Sequence, residues 1–539
     1  MFAHSLEQFH HRPLLDFMGR RYSYTEIGQM AQHFAAGLIE AGIGKGDRVG
    51  LFLPNIPVYV IAYYGAMMAG ATLVNFSPLY SPEELAFQVE DSGTSLLVTV
   101  DHASLLPTAL EVLDSSPLQR LVVSSMAAQL PWLKGLAMRW FRRDQLVSIP
   151  VREDIIRWDR IMGQSDVPHM ELDAAQDVAL LQYTGGTTGT PKGAILTHAN
   201  LTANARQVDA IDPFPDADVI LGALPLFHVF ANTCVLNRTV VAGGCIVMLP
   251  RFDVKQVIDA INRTRPAVFP GVPTMYQALL DHPDIDKADF SSMIICVSGG
   301  APLPAPLRER WEKRTNARLV EGYGLTESSG VVSVNPYQGR RKPGTIGQPL
   351  PDTRIALLDK EHPDRLAPAD EPGELIVNGP QIMRGYWNRP DADASTFVTI
   401  DNRQWLRTGD IATIDEDGFA TIVDRSKDMI SVGGFKVFPS HVEAVLVEHP
   451  AVREALVMGV PEDYHGEVPE AYITTVPGSS ATSDDIAEWL NLRVGKHERV
   501  RSVVIRDSLP KTMIGKLDRK TLRDEVLGRD EVPGQNNPD

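Results

Sequence analysis

Between two apolar segments, VALLQ and AILT, lies the run Tyr183-Thr184-Gly185-Gly186-Thr187-Thr188-Gly189-Thr190-Pro191-Lys192-Gly193. Its glycines let backbone N–H groups crowd around an anion, its threonines add hydroxyl donors and Lys192 adds a positive charge, so the run suits a polyphosphate. It is not a Walker loop, in which the lysine follows glycine and precedes Ser or Thr; here Pro191 and Gly193 flank Lys192. Three further segments carry chemistry-bearing residues. In Gly322-Tyr323-Gly324-Leu325-Thr326-Glu327, glycines beside a tyrosine let a planar ligand lie against backbone and ring, and an acid next to a threonine is compatible with a hard cation. In Arg407-Thr408-Gly409-Asp410, the carboxylate can accept two hydroxyl donors at once. Lys516 sits in the basic tract KTMIGKLDRKTLR, which taken alone reads as solvated surface charge.

The elements that must hold these segments show in the hydrophobic pattern. VGLFLP reads as a strand, IPVYVIAYYGAMMAG as an apolar helix and ATLVNF as the next strand. Ser81-Pro82-Glu83-Glu84 then supplies an N-cap, a proline at the first helical position and a capping-box glutamate. The same alternation returns in ADVILGALPL, GCIVMLP, DVKQVIDAINRTRP and AVFPGVP, which argues for an α/β protein with mostly parallel sheets covered by helices. From Thr345 to Val423 short segments separated by turn residues indicate a smaller antiparallel or mixed, barrel-like sheet. The remainder restarts with its own strands and helices. The expected division is 1–425, a hinge at 426–428, a mobile α+β domain at 429–533 and a disordered tail at 534–539.

A chain of 539 residues exceeds what one core usually organises. Its formal charge of -17 opposes general attraction to nucleic acid, and none is expected as a partner. Cys234, Cys245 and Cys296 lie in apolar runs without metal-ligand spacing and read as buried residues in a reducing compartment. The N-terminus MFAHSLEQFHHRPLL has an acid and histidines where a secretion signal needs a basic start and an apolar centre, so a cytoplasmic location is expected. No charge occurs between Arg48 and Glu83, yet Pro54, Asn55, Pro57 and Asn75 cut this stretch into pieces too short to span a bilayer. At 130–146, LPWLKGLAMRWFRRDQL mixes aromatics with Lys134, Arg139, Arg142 and Arg143, a pattern that suits a short interfacial helix at the inner membrane face as well as one packed on the large domain.

YTGGTTGTPKG resembles the phosphate loop of the adenylate-forming superfamily, which includes acyl-CoA synthetases, firefly luciferases and peptide-synthetase adenylation domains. Further similar segments follow in family order: LPLFHVFA, VSGGAPLP, EGYGLTESS, GELIVNGPQIMRGYWNRP, WLRTGDIA, IVDRSKDMISVGGFKVFPSHVE and LPKTMIGKLDRKTLR, so the resemblance covers nearly the whole chain. Similarity is greatest to bacterial long-chain fatty acyl-CoA synthetases.

The resemblance implies activation of a fatty acid by ATP to an acyl-adenylate, followed by transfer to CoA. A carboxylate is already ionised at neutral pH, so its attack on the α-phosphate needs no general base; the obstacle is repulsion between anions, which cations and N–H donors must offset. Mg²⁺ is expected with the ATP. By resemblance Glu327 holds Mg²⁺, Thr326 contacts the α-phosphate, Tyr323 stacks on adenine, Asp410 accepts the ribose hydroxyls with Arg425 as its partner, and Lys516 bridges carboxylate and α-phosphate. Thr184, Gly185, Gly186, Thr187, Thr188, Gly189, Lys192, Gly300, Ala301, Gly322, Gly324 and Ile422 complete the nucleotide site. His228, grouped with the catalytic residues, borders the acyl and thiol pockets, whose walls come from Phe227, Val229, Gly271, Val272, Thr274, Ser298 and Gly299. The C-terminal domain rotates about Lys427 and exchanges the Lys516 loop for Ser431-Val432-Gly433-Gly434, which lines the pantetheine path. Peptide-synthetase domains usually place an aspartate where this chain has Leu226-Phe227-His228-Val229-Phe230, and none is present, which favours an apolar acid. Delivery of the adenylate to a carrier protein, or an aryl or short-chain acid as substrate, are the alternatives; a homodimer is compatible with all of them.

Overall fold

Pro57 at the first helical position starts the helix Pro57–Met68, and no charge interrupts it, so it can be buried on every side. Its tyrosines are provided with partners. Tyr59 donates to Asn75 Oδ1 at 3.0 Å and the Leu226 carbonyl at 2.8 Å, Tyr63 to Asn232 Oδ1 at 3.0 Å and Tyr64 to Asn237 Oδ1 at 2.9 Å. A buried hydroxyl without a partner costs about 1–3 kcal/mol, so these contacts fix the helix against the π-helical turn Asn232–Asn237. The next helix, Pro82–Ser92, opens with the capping box the sequence announces: Glu84 N–H donates to Ser81 Oγ at 3.3 Å and Ser81 N–H to Glu84 Oε2 at 2.9 Å.

The computed structural model describes residues 1–528 except 165–166, 168–169, 185–189, 215–218, 360–361, 369–370, 426–427, 433–434, 463–465 and 513–514; the tail at 534–539 lies outside the described residues. Among the described residues the chain forms four sheets. A seven-stranded sheet runs in the order Ile155–Arg157, Arg120–Ser124, Leu96–Val100, Arg48–Leu51, Thr72–Asn75, Val178–Thr184 and Lys192–Thr197, parallel except for its last pair. A nine-stranded sheet has a parallel centre of Arg318–Tyr323, Ile295–Ser298, Val268–Gly271, Val219–Gly222, Cys245–Met248 and Pro13–Phe17, with antiparallel edges. One apolar core joins the two, from Val49 and Leu73 through the helix 57–68 to Ile246 and Ile295. A second, around Trp311, covers the other face of the nine-stranded sheet. The expected α/β class is the one observed, and the three cysteines are buried and free. No helix among the described residues is long and apolar enough to cross a membrane.

The region from Arg354 to Arg425 is antiparallel, with Arg354–Leu358, Gly373–Asn378, Arg403–Ile414, Phe397–Ile400 and Ala420–Arg425. The last sheet, built on Val452–Glu462 and Gly466–Thr475, has its own core around Val457, Ile473 and Leu490. Residues 346–347 stitch the antiparallel sheet to the nine-stranded one: Ile346 N–H donates to the Ala420 carbonyl at 2.8 Å and Ala420 N–H to the Gly347 carbonyl at 3.0 Å.

Gly347 makes this seam possible. Its φ is +81°, and a Cβ there would stand 2.0 Å from the Val334 carbonyl carbon. Gly347→Ala is therefore expected to destabilise the protein by about 2 kcal/mol or more. A melting temperature equal to wild type would show that the seam yields freely.

Candidate active site

Gly271, Ser298 and Glu321 are Cα partners on three adjacent parallel strands, at or near their carboxyl ends. In open parallel sheets this edge is where ligands bind. Each strand continues into a segment singled out in the sequence: Val272–Thr274, Gly299–Ala301 and Gly322–Glu327. Thr326 opens a short 3₁₀ turn, Thr326–Ser328. Gly324 allows that loop to double back, since a Cβ there would lie 1.9 Å from the Gly330 carbonyl oxygen. Val229 and Val272 are buried, Phe227 and Thr274 half-buried, and Phe230 packs 3.0 Å from where a Gly299 Cβ would be. The expected pocket walls therefore gather on one sheet edge.

The two feet of the glycine-threonine loop are held in register on the seven-stranded sheet, Thr184 opposite Lys192 and Tyr183 opposite Gly193. Gly185, Gly186, Thr187, Thr188 and Gly189 lie outside the described residues. Tyr183 donates its hydroxyl to Asp91 Oδ2 at 2.6 Å, and Arg389 pairs with the other oxygen of Asp91. Lys192 Nζ stands 4.8 Å from the centroid of the Tyr386 ring.

Asp410, only 3% exposed, reaches this edge from the antiparallel sheet. It accepts the Tyr323 hydroxyl at 2.5 Å on one oxygen and Arg425 Nε at 3.2 Å on the other. Asp410 and Arg425 are ladder partners, so one hairpin presents both. The turn before Asp410 is fixed by Glu374, which takes Arg407 Nη2 at 2.6 Å and Gly409 N–H at 3.1 Å. Ile422 on the same hairpin packs in an apolar cluster with Tyr323.

Lys516 comes from the C-terminal part of the chain. Its tight turn closes through Gly515 N–H to the Thr512 carbonyl at 2.8 Å and Thr512 N–H to the Lys516 carbonyl at 2.7 Å. The turn docks where Thr274 Oγ1 donates to the Gly515 carbonyl at 3.0 Å. The lysine side chain then fills the space left by Gly300: at φ +83°, a Cβ on Gly300 would be 2.6 Å from Lys516 Cε. Burial pushes the Lys516 ammonium down to about 8, Arg425 adds to the shift, and Asp410 opposes it. His228 is pushed down to about 3, by burial first and the Lys516 charge second. Its Nδ1 accepts the Phe230 N–H at 3.3 Å, which places the ring proton on Nε2. Ser431 is exposed, its amide donating to Glu467 at 3.0 Å; among the described residues it makes no hydrogen bond to this cluster. Lys427, Gly433 and Gly434 lie outside the described residues.

Comparison with known proteins decides the family. The model for AMP-binding enzyme matches residues 2–387, and that for the AMP-binding enzyme C-terminal domain matches 441–516. The chain belongs to the AMP-binding enzyme family. It is 37% identical over 527 residues to a long-chain-fatty-acid–CoA ligase of Bacillus subtilis, covering 97% of this chain and 93% of that one. It is 38% identical over 539 residues to a long-chain-fatty-acid–CoA ligase of Escherichia coli O6:H1, covering 98% and 94%. Among solved structures, ATP-bound MatB from Rhodopseudomonas palustris superposes with a TM-score of 0.84 at 28% identity, covering 97% and 98%.

In this AMP-binding enzyme several residues that shape the site went unread in the sequence: Asp91, Glu374, Tyr386 and Arg389. Glu374, Tyr386 and Arg389 stand inside the quoted segment GELIVNGPQIMRGYWNRP, the signal that could have found them. The residues present fit a magnesium ion that arrives on nucleotide phosphates. Among the described residues no three or more His, Cys, Asp or Glu side chains gather as a protein cage. Half-buried Glu327 supplies one carboxylate beside Thr326, and Mg²⁺ characteristically takes one or two carboxylates plus substrate phosphates.

In the role that the resemblance implies, the position of Lys516 would set a pH dependence. A lysine lowered to about 8 is a cation below that pH and neutral above it. In the free enzyme, kcat/KM for pyrophosphate release is expected to fall as pH rises through about 8. Lys516→Arg, whose guanidinium stays charged, is expected to remove that alkaline limb even if its plateau is lower. An alkaline limb unchanged in the arginine variant would show that another group sets it.

Proposed function

We propose that the protein converts a fatty acid of medium to long chain into its CoA thioester through an acyl-adenylate. The observation that carries this reading is the half-buried Lys516 side chain seated on Gly300, at the edge that also presents Thr326, Glu327 and the Tyr323–Asp410–Arg425 group. The carboxylate oxygen attacks the α-phosphorus of ATP and pyrophosphate leaves. The CoA sulfur then attacks the acyl carbon, AMP leaves and one proton is released. ATP with Mg²⁺, and CoA as second substrate, are the cofactors of AMP-forming acyl-CoA ligases.

In this reading Lys516 bridges the two anions that must meet, and its partial desolvation strengthens the contact. Thr326 binds the α-phosphate, and the loop from Thr184 to Lys192 binds the leaving phosphates. Asp410 takes the ribose hydroxyls, held in aim by Arg425, while the Tyr323 ring, tethered through its hydroxyl, offers its face to adenine. Glu327 would hold Mg²⁺, which when bound neutralises phosphate charge. Neutral His228 borders the acyl and thiol pockets as an Nε2–H donor. We assign 1–425 to the body, 426–428 to a hinge at Lys427 and 429–533 to a lid that rotates between half-reactions, bringing the Ser431–Gly434 segment to the pantetheine path. All these residues belong to one chain, so the reading holds equally for a monomer and a homodimer.

Lys516→Ala is expected to slow pyrophosphate release by ~10² or more, the cost of one lost electrostatic stabiliser, and to leave thioester formation from supplied acyl-adenylate near wild type. Equal loss in both halves would remove Lys516 from its role. A CoA-thioester assay from acetate through octanoate to oleate, with an aryl acid, tests the substrate. Adenylate without thioester would point to a carrier-protein acceptor, and a preference for acetate or the aryl acid would overturn the fatty-acid reading.

We further propose that the protein, working in the cytoplasm, docks peripherally on the inner membrane face through residues 130–146. The helix Trp132–Phe141 leaves Trp132 76%, Trp140 73% and Phe141 83% exposed. Lys134, Arg139, Arg142 and Arg143 make this patch cationic on a chain of charge -17, which suits anionic headgroups. Replacing Trp140 and Phe141 by alanine is expected to lower binding to vesicles containing anionic lipid by about tenfold at unchanged melting temperature. Unchanged vesicle binding would reject this surface.

A further inference from the structure

The segment Arg384–Arg389 runs beside the second foot of the glycine-threonine loop. Ile195 N–H donates to the Gly385 carbonyl at 2.9 Å, Arg384 N–H to the Ile195 carbonyl at 3.0 Å and Trp387 N–H to the Gly193 carbonyl at 2.8 Å. At its centre Tyr386, 8% exposed, reaches two charged groups from one ring. Its hydroxyl donates to Glu327 Oε1 at 2.6 Å, and its face carries the Lys192 ammonium at 4.8 Å. Its own amide is tied to Asp393 Oδ1 at 2.7 Å, and Met383 N–H donates to the Glu327 carbonyl at 2.7 Å. The ring is thus anchored on the strand that carries Lys192 and on the turn that carries Glu327.

We propose that Tyr386 is a positioning residue that keeps Glu327 and Lys192 apart and aimed, so that the metal and the polyphosphate each find their group in place. This rests on the reading of Glu327 as the magnesium carboxylate and Lys192 as a phosphate contact. A carboxylate and an ammonium in a half-buried site attract each other strongly. Once paired, each would have to be released before the nucleotide could use it. A phenol interposed between them avoids this: its O–H orients the carboxylate without cancelling its charge, and its π-face holds the ammonium without cancelling that charge either. A phenol, whose ordinary pKa is about 10, stays protonated at neutral pH and so remains a donor.

The test uses the full-length enzyme holding a non-hydrolysable ATP analogue, with Mn²⁺ binding followed by electron paramagnetic resonance. Tyr386→Phe keeps the ring and its packing and loses only the hydroxyl. It is expected to raise the Kd for Mn²⁺ about tenfold, the usual effect of losing a hydrogen bond to a metal-binding carboxylate. Affinity for AMP in EDTA and the melting temperature should stay at wild-type values. Tyr386→Leu, which also removes the face beneath Lys192, should in addition weaken the ATP analogue without metal. Glu327→Gln separates the two levels of inference. If it leaves Mn²⁺ binding unchanged, the reading of Glu327 is wrong. If it weakens Mn²⁺ binding while Tyr386→Phe does not, or if Tyr386→Phe weakens Mn²⁺ and metal-free AMP alike, the positioning role is overturned.

Discussion

The seating of the half-buried Lys516 side chain against Gly300 is the contact on which the arrangement of the site depends. Taking a cation out of water disfavours its charged form, and the Arg425 guanidinium nearby pushes in the same direction; only Asp410 opposes them. An ammonium in that position has strong reason to gain anionic partners, which in the proposed reaction a triphosphate and a carboxylate would supply. The contact also dictates sequence. Gly300, at φ +83°, is where the lysine stem lies, and a side chain there would occupy the space of Lys516 Cε. The glycine at the end of an internal strand and the lysine near the C-terminus are thus two halves of one steric fit.

Three carboxylates each take a tyrosine hydroxyl. Tyr323 donates to Asp410, Tyr386 to Glu327 and Tyr183 to Asp91. A phenol fixes the orientation of a carboxylate and leaves its negative charge standing, whereas an arginine fixes and neutralises it. Glu374, which serves structure, is clamped by the guanidinium of Arg407. Glu327, which the proposed chemistry needs charged, has a phenol as its partner. Asp91 and Asp410 have both, Asp91 with Arg389 beside the loop anchor and Asp410 with a lateral contact from Arg425 Nε at 3.2 Å.

What could be read from the sequence follows from how far apart the cooperating residues are. The Ser81–Glu84 capping box spans three positions, and the run 57–68 is apolar throughout, so both were visible as patterns and both formed as read. The parallel sheets followed from repeated strand-helix alternation. Asp410 and Arg425 belong to one hairpin, close enough in the chain to be considered together. Tyr386 and Glu327 are 59 residues apart, and Asp91 and Arg389 are 298 apart. No periodicity links such pairs, and a tyrosine gives no sign in sequence of the partner its hydroxyl will find. The resemblance to adenylate-forming enzymes named the groups it assigns to ligands, with Arg425 as the partner of Asp410, and said nothing of Asp91, Glu374, Tyr386 or Arg389. The reason for Gly300 was hidden in the same way, because nothing near it in the chain foretells the lysine that fills its space.

The contacts that seat the Lys516 turn are few and small compared with those inside the C-terminal part. Among the described residues the seam is crossed by Thr274 Oγ1 donating to the Gly515 carbonyl, the fit of Lys516 on Gly300, the Ser440 N–H donating to Asp424 Oδ2 at 2.9 Å beside the assigned hinge, and the pair Arg453–Asp281 at 3.3 Å with both partners about a third exposed. Exposed pairs of that kind contribute little. Within the C-terminal part, by contrast, Arg519 binds Asp428 at 2.8 Å, Glu443 at 2.5 Å and the Val457 carbonyl at 3.0 Å. Asp428 is the last residue assigned to the hinge, so the clamp would carry it with the lid and confine any rotation to the residues before it. In the proposed two-step reaction a modest seam beside a firmly clamped lid would serve both half-reactions: the adenylation pose would be specific enough to place one lysine, and shallow enough to be given up when pyrophosphate leaves.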